Sequence, residues 1–296
     1  MRPIERVLAT IDHSAVSEEI LKASYSLAKK FKSKLWVLNV VPQSPFDGTF
    51  FSPLSEQALA QMEAQAQKKI QETLSSFNDE GLEVHKEVKL GAPYVEILKL
   101  AKKNKISLII AGSHGRKGWK NLFLGSVAET LIRRAECPVW ILKAPFSPPK
   151  KILVPIDLSE PSRASLPWAL LLAKAYGAAL HLLCVFEPII LPDYMQVDYT
   201  EFELKMKENK KEEFSKLVQE LSGSAIPVTG EFLEGDPRFK IEEIQKLQNC
   251  DLILLSTQGK SFIACKLLGS VAAHVVRDVS CSTITVRPDG FKLKDI

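Results

Sequence analysis

The stretch "GSHGRKGWKNLFLGS" (residues 112–126) follows the apolar run 106–111 and precedes the helix-period segment 127–135. A strand that gives way to a helix through glycines and the basic residues Arg116, Lys117 and Lys120 has the chemistry of an anion site. Gly112 and Gly115 let a backbone come close to a ligand and free its amides to point at phosphate oxygens. Gly125 and Ser126 sit where the helix opens, so its unpaired N–H groups and the positive end of its dipole supply the other side of a cradle. The Ser126 hydroxyl has two roles open to it, capping the helix or bonding a phosphate. Taken singly, each residue also has a plain structural reading, as turn glycine, N-cap or surface charge. It is the combination that points to a ligand.

The stretch has an echo, "STQGKSFIACKLLGS" at 256–270. The echo extends through the chain: "RVLATIDHSAVSEEIL" (6–21) aligns with "KILVPIDLSEPSRASL" (151–166), placing Asp12 on Asp157 at an offset of 145, and "LWVLNVV" (35–41) falls on "LHLLCVF" at the same offset. After a one-residue slip, Gly91 falls on Gly235, Gly115 on Gly259, Gly125-Ser126 on Gly269-Ser270 and Cys137 on Cys281. A single slip over this length implies a duplicated domain, 1–146 and 147–296, joined through the proline-rich "KAPFSPPKK" (143–151).

Within the first copy, apolar runs at 7–11, 35–41, 82–88, 106–111 and 139–142 alternate with helix-period segments at 17–31, within 55–77, 94–104 and 127–135. That β-α-β-α-β-α-β-α-β order predicts an α/β fold with a parallel sheet covered by helices on both faces. The longest inserts, 42–54 and 187–200, read equally as ligand lids, partner contacts or ordinary excursions. The helix that follows the second, "EFELKMKENKKEEFSKLVQEL", reads as a solvated face laced with charge pairs. In a doubly wound sheet, ligands bind beyond the carboxyl ends of the strands where strand order reverses. Asp12, which ends the first strand, and Gly112, which ends the fourth, face one crevice if those strands are neighbours.

Composition narrows the function classes. With 46% hydrophobic and 25% charged residues the chain reads as soluble and globular, and no apolar run nears the roughly 18 residues of a membrane span. Its beginning, "MRPIERVLAT", enters a strand pattern directly, so a cytoplasmic protein is expected. Five scattered cysteines without a CxxC pair favour neither a disulfide framework nor a zinc site. A dinucleotide GxGxxG is missing after the first strand, and "GKS" at 259–261 lacks the earlier glycine of a Walker loop, where Leu254 stands. Residues 1–146 hold 21 Lys plus Arg against 15 Asp plus Glu, and residues 147–296 hold 18 against 20, so the half with the intact loop is the basic one. No aromatic-basic stripe accompanies that excess, which disfavours nucleic acid.

The spacing glycine, two residues, glycine, nine residues, glycine, serine, met by Gly112, Gly115, Gly125 and Ser126, resembles the ATP-binding signature of the universal stress protein (UspA-like) family. "DHS" and "DLS" after the first strands, "GAP" and "GDP" before the third helices, and "CPVWIL" as a last strand fit the same resemblance, which covers nearly the whole chain as two tandem domains. It implies two five-stranded parallel sheets of order 3-2-1-4-5, a cytoplasmic stress-response role and ATP, ADP or AMP as ligand, with Mg as a companion ion. It also implies that Asp12 and the backbone at Val40 and Val41 lie by the adenosine. Gly112, Gly115, Gly125, Ser126 and the amide of Val127 would then hold ribose and phosphates. Family members pair through their last strands, so an intramolecular pseudo-dimer through 139–142 and 283–286, or a further homodimer, is implied as well.

The second copy departs from the signature where Ser256 replaces the first glycine and Gln258 stands at the position of His114. A serine made to adopt a glycine-only backbone angle is strained, so nucleotide is expected mainly in the first domain. A nucleotide-binding regulator with an unnamed protein partner is favoured over a hydrolytic or kinase-like enzyme, for which a base and an acidic metal cluster are wanting. A non-nucleotide binding or scaffolding protein is the other alternative.

Overall fold

The computed structural model describes residues 4–42, 56–77, 79–113, 124–143, 145–188, 200–223, 225–259 and 268–288. Most of both long inserts, together with His114, Gly115, Arg116, Lys117 and Lys120 of the glycine loop, lies outside the described residues. The chain divides into two compact units, one ending at Pro148 and the other beginning at Pro149.

In the first unit β1 (Arg6–Ile11), α1 (Ala15–Phe31), β2 (Lys34–Pro42), α2 (Glu56–Leu74), β3 (Val84–Gly91), α3 (Pro93–Lys103), β4 (Leu108–Gly112), α4 (Ser126–Arg134) and β5 (Val139–Leu142) follow in order. The strands lie parallel in the order β3-β2-β1-β4-β5. The chain winds one way from β1 to β3 and the other way from β4 to β5, and right-handed crossovers therefore set α1 and α2 on one face and α3 and α4 on the other. Strands covered on both faces have no solvent side, so they read as unbroken apolar runs. Val7, Leu8, Ala9, Leu108, Ile109 and Ile110 are all fully buried. On α1, Val16, Ile20, Ala23, Leu27 and Ala28 make the buried stripe at three- and four-residue spacing, and the helix stops at Lys32 in the left-handed region (φ 52°).

The third strand starts two residues later than its apolar pattern suggests and runs on through Gly91. Leu82 instead closes a turn, its N–H donating to Asp79 O at 2.9 Å. Gly91 ends β3 at φ 140° and its counterpart Gly235 lies at φ 133°, a backbone region closed to most side chains. Each hands over to a helix with proline in its first turn, Pro93 and Pro237.

The second unit repeats the plan with β6 (Lys151–Pro155), α5 (Glu160–Arg163), α6 (Ser165–Tyr176), β7 (Ala179–Phe186), α7 (Thr200–Ser222), β8 (Val228–Glu234), α8 (Pro237–Leu247), β9 (Leu252–Ser256), α9 (Ser270–Asp278) and β10 (Ser282–Val286). Its parallel strand order is β8-β7-β6-β9-β10. The single first helix of the first unit is here two pieces. Pro167 has no N–H to continue the ladder from α5, and a tight turn from Pro161 O to Ala164 N (3.3 Å) takes its place.

One polar cluster is built into this second sheet. His181 on β7 is 3% exposed, its Nδ1 is 2.8 Å from Thr229 Oγ1 and its Nε2 is 3.2 Å from Glu231 Oε1. Burial pulls its pKa below the usual histidine value, helped by Lys151 and opposed by Glu231. Just below pH 6.5 the unfolded chain therefore holds more protons at this site than the folded one, and stability present above that pH declines as pH falls. Urea unfolding of the full chain at pH 7 and pH 5 is expected to show this decline, with a shallower slope in His181→Phe. An unchanged slope rules the linkage out.

Candidate functional site

The site begins with strand order. Because β1 and β4 are neighbours in register Ala9↔Ile110, Asp12 and Ser113 leave the sheet side by side at its carboxyl edge. Asp12 is fixed there by its own turn. Its Oδ1 accepts from Ser14 N (3.0 Å) and Ser17 Oγ (3.1 Å), while its N–H donates to Ser17 Oγ (3.2 Å), and His13 between them takes φ 60°. The second unit copies the device: Asp157 Oδ1 accepts from Ser159 N at 2.9 Å and from Ser159 Oγ, with Leu158 at φ 69°.

The loop after the fourth strand is clasped identically in both units. Ser113 N donates to Leu142 O (2.9 Å) and Gly125 N returns to Ser113 O (2.8 Å); Thr257 N donates to Val286 O and Gly269 N returns to Thr257 O, each at 2.8 Å. A Cβ on Gly269 would sit 3.2 Å from Thr257 O, tighter than an ordinary contact, so this closure favours a glycine before the helix. That glycine, and not the serine, is the N-cap: Gly125 and Gly269 take extended geometry, and neither α4 nor α9 has a side-chain cap. Of the two roles open to Ser126, capping is therefore taken by its neighbour. The serine begins α4, exposed, with its carbonyl accepting from Thr130 Oγ1 (2.7 Å). The N-cap residue of neither helix offers a capping side chain, and the first turn of α9 lines the crevice of its unit.

In the second unit this crevice is a cavity of about 600 Å³, within the range of small-molecule sites. Asp157, Val185, Phe186, Ser256, Gly259, Gly269, Ser270 and Val271 line it, and they are the counterparts of Asp12, Val40, Val41, Gly112, Gly115, Gly125, Ser126 and Val127. All eight second-unit counterparts of the sequence-derived positions thus meet in one place. Of the first-unit set, Val40 is buried at the end of β2, Gly112 closes β4, and Gly115 lies outside the described residues. Gly259 faces Asp157 so closely that a Cβ on it would lie 2.5 Å from Asp157 Oδ2.

Two corrections concern residues the sequence read differently. Ser256 is not strained. It ends β9 in extended backbone and is absent from the described residues with positive φ, as is Gly112, so the first position of the signature needs no special angle. What the serine changes is chemistry: its Oγ accepts from Gln258 N at 3.3 Å and so occupies one loop amide. The solvated face of α7 is solvated only in part, because Met206 and Lys210 line the cavity. A signal for this was available, since Met206, Lys210 and the buried Phe214 are four residues apart and share one helix face. Thr257, also missed, is 5% exposed, lines the cavity and leaves its Oγ1 without a hydrogen-bond partner among the described residues.

With the geometry in place, the comparisons fall on one family. The sequence matches the universal stress protein family twice, over residues 3–143 and 148–287. The chain belongs to that family as a tandem member. A universal stress protein of Methanocaldococcus jannaschii is 32% identical over 141 residues, covering 48% of this chain and 83% of that protein. One from Mycobacterium bovis is 25% identical over 219 residues, covering 71% of this chain and 70% of its own length. The crystal structure of a universal stress protein from Archaeoglobus fulgidus superposes with a TM-score of 0.72 at 22% identity, covering 96% of this chain and 98% of that one, a likeness of fold. The doubly wound α/β architecture of the family is that of both units, and among the described residues no helix is long and apolar enough to cross a membrane.

Proposed function

We propose that this universal stress protein is a cytoplasmic adenine-nucleotide-binding regulator, with ATP, ADP or AMP held mainly in the first domain (1–146), and that bound nucleotide biases contact with a protein partner during stress. The observation that carries the reading is the convergence of the eight signature positions: their second-unit counterparts line a single cavity at the switch point, beside an uncapped helix start. In the first unit Gly112 stands in place of Ser256, and residues 1–146 as a whole carry an excess of basic residues. Asp12, Val40 and Val41 take the adenosine side, and Gly112, Gly115, Gly125, Ser126 and the Val127 amide take the ribose and phosphates. Mg accompanies the phosphates. Binding is favoured over hydrolysis because the Asp12 carboxylate, the natural candidate for a base, has one oxygen committed to Ser14 and Ser17.

The test is to purify the chain, identify any retained nucleotide by mass spectrometry, and titrate the stripped protein by calorimetry. One adenine nucleotide per chain is expected. No binding of ATP, ADP or AMP at millimolar concentration overturns the reading, and two equivalent adenine sites overturn its assignment to the first domain.

A further inference from the structure

The second-unit cavity has its own chemistry. It spans the carboxyl ends of β9, β6 and β7, which are consecutive in the sheet, so its two ends lie roughly 10 Å apart, two inter-strand spacings. At the β9 end stand the start of α9, whose N-cap glycine offers no capping side chain, and the buried Thr257 hydroxyl, which has no partner among the described residues, donors suited to an anionic oxygen. In the middle, beyond β6, Asp157 presents Oδ2 toward Gly259 while Oδ1 is tied to Ser159, an acceptor suited to a hydroxyl-bearing ligand. At the β7 end Lys210 Nζ donates to Val185 O at 3.1 Å and stands 5.9 Å from the centre of the Phe186 ring. An ammonium only donates. Its bond to Val185 O also occupies an acceptor that an exocyclic amino group of a ligand would use.

The two units differ at this end. Aligning α7 with α2 at an offset of 144 places the buried Phe214 on the buried Ile70 and Lys210 on Ala66, so the first unit offers no ammonium from the equivalent helix position.

We infer that the second-unit cavity is a separate site for a nucleotide-like monophosphate whose ring carries a carbonyl at its outer edge, and that Lys210 selects it against the amino-bearing adenine ring. The inference rests on the reading of these crevices as nucleotide sites. The phosphate meets α9 and Thr257, the sugar hydroxyls meet Asp157, and the ring lies between the apolar walls Val185, Ile241 and Leu255 with its carbonyl on Lys210.

Inosine and adenosine monophosphates are suitable probes, because they differ in an oxo against an amino group at one ring carbon. Both are titrated calorimetrically into the full chain, into Gly259→Val and into Lys210→Met. Gly259→Val displaces the Asp157 carboxylate and so marks the second-unit component of the heat. That component is expected to favour inosine monophosphate by about tenfold, the worth of one hydrogen bond to a charged group, and Lys210→Met is expected to erase the preference. Equal or tighter adenosine monophosphate binding in that component, an unchanged ratio in Lys210→Met, or no component lost in Gly259→Val each overturns the inference. Adenine binding that survives in Gly259→Val reports the first unit separately, so failure here is distinct from failure of the nucleotide reading.

Discussion

Gly115→Val is expected to weaken adenine-nucleotide binding by the first domain by roughly a hundredfold, the loss of two hydrogen bonds to charged oxygens at about 1.5 kcal/mol or more each. The argument passes through the repeat. Gly115 corresponds to Gly259, where a single Cβ would lie 2.5 Å from the carboxylate oxygen of Asp157. That carboxylate has little room to yield, since its other oxygen is held by Ser159 N and Oγ, as Asp12 is held by Ser14 and Ser17. If the first unit keeps this arrangement, a branched side chain at 115 is expected to meet Asp12 as one at 259 would meet Asp157, and to pull amides away from the phosphates. The sheet beneath is untouched, so the circular dichroism spectrum and the unfolding midpoint are expected to stay close to wild type. Calorimetric titration with ATP reads the result. Wild-type affinity in the variant removes the loop from the site.

How far this site was legible follows from what each residue depends on. Asp12, Gly112 and Gly125 were visible because they sit at strand ends and a helix start, places fixed by apolar runs that parallel strands cannot avoid showing, whereas Val40 and Val41 came only from the family resemblance. The repeat added a second sighting of each. Gly125 illustrates the limit: the sequence gives a glycine and a serine at a helix start, and only the return bond from Gly125 N to Ser113 O shows that the glycine caps and the serine begins the helix. The four-residue spacing of Met206, Lys210 and Phe214 showed that Lys210 shares a face with a core residue, but what that face meets, like the role of Thr257, was hidden for a different reason. Their meaning depends on tertiary neighbours, α7 crossing the end of β7 and a hydroxyl meeting a cavity, and local charge pairing or strand alternation says nothing of either. The break between α5 and α6 lay in plain view in Pro161 and Pro167, yet it is overridden in importance by the repeat, which aligns both pieces with the unbroken α1.

The cavity of the second unit stands on a core that also holds its walls. Leu183, Val185, Ile241, Leu255 and Ala272 line the cavity and belong to the buried cluster that surrounds Ile253. Ile253 itself is fully buried on β9, in register with Leu153 on one side and Thr283 on the other, and does not line the cavity. Ile253→Ala removes three carbons from a site flanked by sheet on both sides, where the neighbours are held by ladder hydrogen bonds and cannot close the gap. The loss of unfolding free energy is expected to be about 3 kcal/mol, in the middle of the range for such truncations. Urea unfolding measures it, with an unchanged denaturant slope expected if the folded and unfolded states keep their exposed surfaces. A loss below about 1 kcal/mol, the scale of a volume-conserving swap, means that the strand relaxes and the walls are not rigid. The same variant then reads the link from packing to function. Ile253 touches no ligand, so if the site owes its shape to the core, inosine monophosphate binding in the second unit weakens while first-unit binding of ATP persists.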